Sequence, residues 1–294
     1  MAGTGIDVKA MRRVRVDKLR TGVHRCQMIR LTNGKRIDEE FPDSVEPCGP
    51  GTVGRLWKPA LLILTISVVG WALLAWVAFD MSHPVAKLTM PASSRWKPGN
   101  LFAILAMWAV MMAAMMLPSA LSTVMAFARI GNESERAFRL LGFVGGYVLV
   151  WLAFSVVATA AQWALQAANW VDPMIISTSK WLSGSLLVIS GLYQFSPLKR
   201  VCLGNCRTPL GFLLGEWRAG LGGAAIMGLR HGLFCLGCCW ALMALLFVGG
   251  VMNLAWIAAL SIAVAIEKLA PHGERVALVL GLGLLGAGVL RLAT

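Results

Sequence analysis

The stretch LFAILAMWAVMMAAMMLPSALSTVMA, residues 101–126, runs for 26 residues without a charged side chain. A helix that crosses a bilayer needs about 20 predominantly apolar residues, because each advances 1.5 Å through a hydrocarbon core about 30 Å thick. This segment meets that requirement by itself. Working outward from it, six further apolar segments fall at 59–79, 140–165, 181–195, 232–249, 254–266 and 276–292. The segments at 181–195 and 254–266 are short, so the sequence predicts six or seven transmembrane helices. With 57% hydrophobic and 14% charged residues and a mean hydropathy of +0.70, the expected fold is all-α, a polytopic membrane helix bundle. A membrane β-barrel would need short alternating strands instead of long Ala-, Leu-, Met- and Gly-rich runs.

Lys and Arg are retained on the cytoplasmic side of a bacterial inner membrane. With the N-terminus inside, the inner loops hold Arg129, Arg136, Arg139, Lys199, Arg200, Arg207, Arg218, Lys268 and Arg275, and the outer loops hold Lys87, Arg95, Lys97 and Lys180. That asymmetry predicts a cytoplasmic N-terminus. Residues 1–56 differ in kind: the first 36 carry ten Lys or Arg against two Asp, followed by the acidic DEEFPDSVEP. They lack the apolar core of a signal peptide. They are expected to form a disordered basic cytoplasmic tail, able to meet anionic lipid, ahead of a bundle over 57–294. Topology accounts for much of the net charge of +13. No nucleic-acid recognition motif accompanies it, so nucleic acid is not expected as a partner.

Five of the seven cysteines lie between 202 and 239. Cys202 and Cys206 are four apart in a cytoplasmic loop at about 196–218, bracketed by Lys199, Arg200 and Arg207. On a reducing face such a pair favours metal or redox chemistry over a structural disulfide, and the nearby cations are expected to favour thiolate. In HGLFCLGCCWALM, residues 231–243, helical geometry places His231, Cys235 and Cys238 within an arc of about 60°, with Cys239 farther round the same side. Cys packs readily as a small hydrophobe, but packing alone explains poorly a histidine and three cysteines within nine positions. Because Arg230 at mid-bilayer would be expensive, the crossing is expected to begin near Gly232, with the preceding GLGGAAIMGL interfacial or re-entrant. A helix beginning near Ala219 would instead demand an acidic partner for Arg230. Glu267 is the nearest candidate, unless it pairs with Lys268 at the interface.

The opening stretch adds thioethers. Met107, Met111 and Met115 share one face of about 80°, with Met112 and Met116 beside it, and Pro118 is expected to kink or end the helix. A methionine stripe is often packing. Here Met115 and Met116 fall in the same half of the membrane as Cys235 and Cys238. Thioether and thiolate together select Cu(I), whereas zinc accepts the histidine and thiolates but gains little from methionine.

The segments MWAVMMAAMMLPSA, YQFSPLKRVCLGNCRTPL and GLRHGLFCLGCCWALMALLFVGGVMNLAWIAALSIAVAIEK, in that order, resemble a bacterial family of integral membrane proteins described as predicted metal-binding and linked to copper-chaperone roles. The resemblance spans about residues 57–290. It implies that Met111, Met115, Met116, Cys202, Cys206, His231, Cys235 and Cys238 form one functional surface.

The expected function is therefore binding and transfer of a soft metal, Cu(I) first and zinc as the alternative. A soluble cytoplasmic donor would load Cys202 and Cys206, and a membrane metalloenzyme would accept the ion. No P-loop or phosphorylation motif suggests ATP-driven pumping. A different class remains open, a membrane thiol oxidoreductase relaying electrons between the Cys235/Cys238 and Cys202/Cys206 pairs, with a quinone as acceptor. That reading leaves the methionines unexplained.

Overall fold

The computed structural model describes residues 53–91, 95–130 and 135–294. The basic tail, with Cys26 and Cys48, lies outside them except for its last four residues, which begin the first helix. In chain order the helices are α1 (Val53–Phe79), α2 (Pro84–Thr89), α3 (Pro98–Ala128), α4 (Arg136–Ala167), α5 (Lys180–Gln194), α6 (Pro197–Arg207), α7 (Pro209–Gly215), α8 (Gly220–Ala244), α9 (Leu246–Gly249), α10 (Leu254–Leu269) and α11 (Gly273–Ala293). Among the described residues the only extended pairings are two isolated bridges.

The helix starts follow from side chains that satisfy otherwise unpaired backbone N–H groups. Ser179 accepts from Leu182 N at the start of α5, Ser196 from Leu198 N at α6, and Asn253 from Trp256 N at α10. Proline occupies the first turn of α3, α6 and α7, where its missing N–H costs nothing.

All seven apolar segments are helical. Five helices are long and apolar enough to cross a membrane: Trp57–Phe79, Pro98–Ala128, Arg136–Ala167, Gly220–Gly249 and Gly273–Ala293. The two that sequence marks as short, α5 and α10, have 15 and 16 residues, about 22–24 Å.

Contacts between helices give their directions. Trp108 Nε1 donates to Gln162 while Met116 O accepts from Tyr147, so α3 and α4 are antiparallel. A Cβ on Gly142 would meet Leu221, and one on Gly232 would meet Val150, so α4 and α8 run parallel. Ser190 donates to Ala241 O and Tyr193 to Gly237 O, setting α5 antiparallel to α8. Trp256 reaches Leu245 O and Lys268 reaches Cys235, setting α10 antiparallel to α8. Gly184 faces Leu292 and Gly191 faces Leu285, so α11 opposes α5. From α3 onward, successive apolar segments alternate in direction. The parallel packing of α4 and α8 requires α5 to return the chain despite its length.

These directions bring the C-terminal ends of α5 and α10 beside the middle of α8. There Tyr193 and Lys268 contact Gly237 and Cys235, about four turns from the start of α8. The end of α3 and the beginnings of α4 and α8 continue past that level. Phe127 stacks on Phe143, and the Arg139 guanidinium lies over Phe127 and Trp217. The segment 196–218 fills this region as α6 and α7. α6 is amphipathic, burying Lys199, Cys202, Leu203 and Cys206 on one side.

The structure bears on two expectations. The helix carrying His231 begins at Gly220, so GLGGAAIMGL is its helical opening. Arg230 avoids burial because it lies on the exposed side of that opening, where it pairs with Glu216 rather than Glu267. Pro118 does not end α3, which continues to Ala128.

Candidate metal centre

The stripe on α8 meets α6 at its Cys238 end, where Gly237 lies against Cys202. Cys235, Cys238 and Cys239 are buried, as are Cys202 and Cys206, and all five are free thiols. Spacings of three and four residues put sulfurs on one side of each helix, and the contact between the helices brings the two sets together. Cys206 lies within hydrogen-bonding reach of Cys238, and Cys239 within reach of both Cys235 and Cys238. A Cβ on Gly237 would come 2.7 Å from Cys202 Sγ, so the glycine permits the approach of α6. Within α8 the thiols of Cys238 and Cys239 turn back to the Cys235 carbonyl at 3.1 and 2.9 Å. Among the described residues no three His, Cys, Asp or Glu side chains form a group that could hold a metal ion.

Cys235 also belongs to a closed ring of polar contacts joining four helices. Its sulfur is 3.0 Å from the Tyr147 hydroxyl, which donates to Met116 O at 2.9 Å. Ser119 Oγ donates to the same carbonyl at 2.8 Å and accepts from Lys268 Nζ at 3.1 Å. Lys268 Nζ closes the ring 2.9 Å from Cys235 Sγ. The link from α3 to the thiols thus runs through the Met116 carbonyl and the Ser119 hydroxyl.

Charge is apportioned just beside this ring. Lys199 donates to Glu267 at 2.7 Å with both side chains buried. Glu267 therefore pairs with neither Arg230 nor Lys268. Adjacent residues on a helix do not face each other, so Glu267 turns to α6 while Lys268 turns to α8. Arg207 donates to the carbonyls of Ala270 and Pro271, and Arg200 to that of Phe195. The cations bracketing Cys202 and Cys206 are thus engaged elsewhere. The expected bias to thiolate in this pair is overturned: burial pushes the Cys202 thiol up, and the hydrogen bond with Cys238 together with burial pushes Cys206 up.

His231 lies one turn before Cys235, with its ring among Phe143, Tyr147 and Phe212 at centroid distances of 5.9, 5.7 and 5.3 Å. It is 2% exposed, and its Nδ1 has no hydrogen-bond partner. Such an orphaned buried nitrogen is uncommon in folded proteins. Met111, Met115 and Met116 are all buried, with Met116 part of the polar ring through its backbone and Met111 more than a turn farther along α3.

Sequence reasoning left out Tyr147 and Ser119, took Lys199 only as a loop cation bracketing the cysteines, and treated Lys268 only as a loop charge and an interfacial neighbour of Glu267. The available signals were one of only two tyrosines in the chain and a Glu-Lys dipeptide closing an apolar run.

These features define a class: a helical protein of membrane-spanning dimensions with clustered free thiols, a buried ammonium and an unsatisfied imidazole nitrogen. The model of the PpoB2 family, described as a copper chaperone, matches residues 105–291, and the chain belongs to that family. The matched region contains every residue of the centre. No curated protein and no solved structure matches the chain.

Proposed function

We propose that this protein binds Cu(I) at the thiols shared by α6 and α8 and transfers it as cargo within the membrane. The observation that carries the proposal is the meeting of two thiol sets from separate elements, with the Cys202 sulfur of α6 against Gly237 of α8, between Cys235 and Cys238. The donor chemistry fits: clustered thiols are soft ligands, and the free Nδ1 of His231 supplies a further nitrogen one turn away. A pair of thiols suffices for Cu(I), whereas a structural zinc site takes four nitrogen or sulfur ligands.

Cys202 and Cys206 receive the ion from a soluble cytoplasmic donor. Cys235 and Cys238 take it by exchanging one sulfur at a time, so the ion is never free. Met116, Met115 and Met111 continue the route along α3 toward a membrane metalloenzyme. The Cys206–Cys238 approach also suits thiol–disulfide exchange, the second reading, which gives the methionines no part.

The deciding experiment loads purified full-length protein anaerobically with Cu(I). The wild type retains about one to two ions per chain, and Cys235→Ser/Cys238→Ser loses most of them. Equal retention by a folded double variant removes these thiols as the site.

A further inference from the structure

We propose that Lys268 is the specificity-determining residue of this centre, its buried ammonium selecting a monovalent soft ion over a divalent one. The inference rests on the copper-binding reading and adds to it the means of discrimination.

Lys268 is 6% exposed, and its ammonium contacts Ser119 Oγ at 3.1 Å and Cys235 Sγ at 2.9 Å. A buried charge is costly unless an opposite charge accompanies it. The adjacent carboxylate, Glu267, is engaged 2.7 Å from Lys199, and that pair is neutral by itself. The other cations nearby, Arg200 and Arg207, are held by backbone carbonyls. The negative charge that balances Lys268 therefore comes from the sulfur ligands.

The charge count then separates the candidate ions. Two thiolates around a monovalent ion carry −1, and Lys268 brings the assembly to zero. The same two thiolates around a divalent ion are neutral, and Lys268 leaves an uncompensated +1 in a buried setting. A third thiolate would restore balance, but among the described residues no three of these side chains form a group that could hold an ion, so recruiting one from α6 or from Cys239 requires rearrangement. Softness alone does not discriminate here, because Cd(II) is also thiophilic. Charge does.

The test uses the full-length protein in detergent, with Cu(I), Ag(I) and Cd(II) titrated against competing chelators. The wild type binds Ag(I) alongside Cu(I) and binds Cd(II) much more weakly. Lys268→Met, which keeps chain length and apolar bulk, lowers the ratio of Cu(I) to Cd(II) affinity by about tenfold or more. Lys268→Arg keeps the wild-type order, a rescue that a purely structural role for the side chain would not tie to charge. A folded Lys268→Met with an unchanged ratio overturns the inference. If that variant does not fold, the wild type decides: equal affinity for Ag(I) and Cd(II) overturns it as well. Failure of the copper reading looks different. In that case the wild type retains no Cu(I), or Cys235→Ser/Cys238→Ser retains as much as wild type, and the selectivity inference falls with the site.

Discussion

Tyr147 and the Lys199–Glu267 pair show how much of the centre depends on single polar groups. Tyr147→Phe removes the hydroxyl that joins Cys235 to the Met116 carbonyl, while Ser119 still donates to that carbonyl. The expected loss is about 1 kcal/mol of stability, the usual worth of one hydrogen bond whose acceptor keeps another donor. Thermal unfolding in detergent measures it, and a loss far above that would show the ring acting as a cooperative unit. Glu267→Gln leaves the Lys199 ammonium buried and uncompensated, so it should cost about 3–5 kcal/mol. Adding Lys199→Met should recover part of the loss, because the stranded charge then disappears. Equal stability of the single and double variants would show that Lys199 reaches water when its partner is gone.

The parallel contact of α4 and α8 holds the stripe in place. A Cβ at Gly228 would overlap the Phe143 carbonyl, and one at Gly146 the Ala225 carbonyl, so both glycines permit backbone contact. Gly228→Val should separate the helices and destabilise by more than about 4 kcal/mol, in the range of severe overpacking and strain. A variant that unfolds like wild type would mean that the helices can part without loss. α3 poses a different question, since Met111, Met115 and Met116 are buried whether or not they touch cargo. Changing Met111, Met115 and Met116 to Leu conserves apolarity and costs under about 1.5 kcal/mol per site. Under copper limitation the triple variant should fail to supply a copper enzyme and should recover when copper is added. A folded triple variant that behaves as wild type, beside a Cys235→Ser variant that fails, would favour thiol exchange over a thioether route.

Over the whole molecule, seven crossings, α1 followed by the segments that alternate from α3 onward, place the start of α1 and the end of α11 on opposite sides if α5 and α10 both cross. A C-terminal reporter should therefore report the non-cytoplasmic side when the N-terminus is cytoplasmic. The same side for both ends would mean that an odd number of these segments fails to cross. With Cys26 and Cys48 replaced by Ser, impermeant maleimide should reach Cys202 and Cys206 only from the cytoplasmic face. Labelling should also be slow, because these two residues are 7% and 9% exposed, and should accelerate on unfolding. Rapid labelling from outside whole cells would reverse the direction of transfer.

The helical character of all seven apolar segments followed from the sequence alone, because hydrocarbon leaves backbone polar groups no partner but the helix itself. The sulfur stripe on α8 was equally legible, since spacings of three and four residues fix which side chains share a helix face whatever packs against it. The extent of α8 was not. A rule that keeps Arg out of lipid cannot know that the helix opening continues beyond the short helices and leaves Arg230 beside Glu216. Nor does any local pattern decide that Glu267 takes Lys199 from α6 while Lys268 turns to Cys235. Those partners are 68 and 33 residues away in the chain, and only the packing of α6, α8 and α10 brings them within reach. The electrostatic balance of the thiol cluster is therefore a property of the tertiary structure: hydrophobic periodicity sets which face is buried, and packing sets which charges meet there.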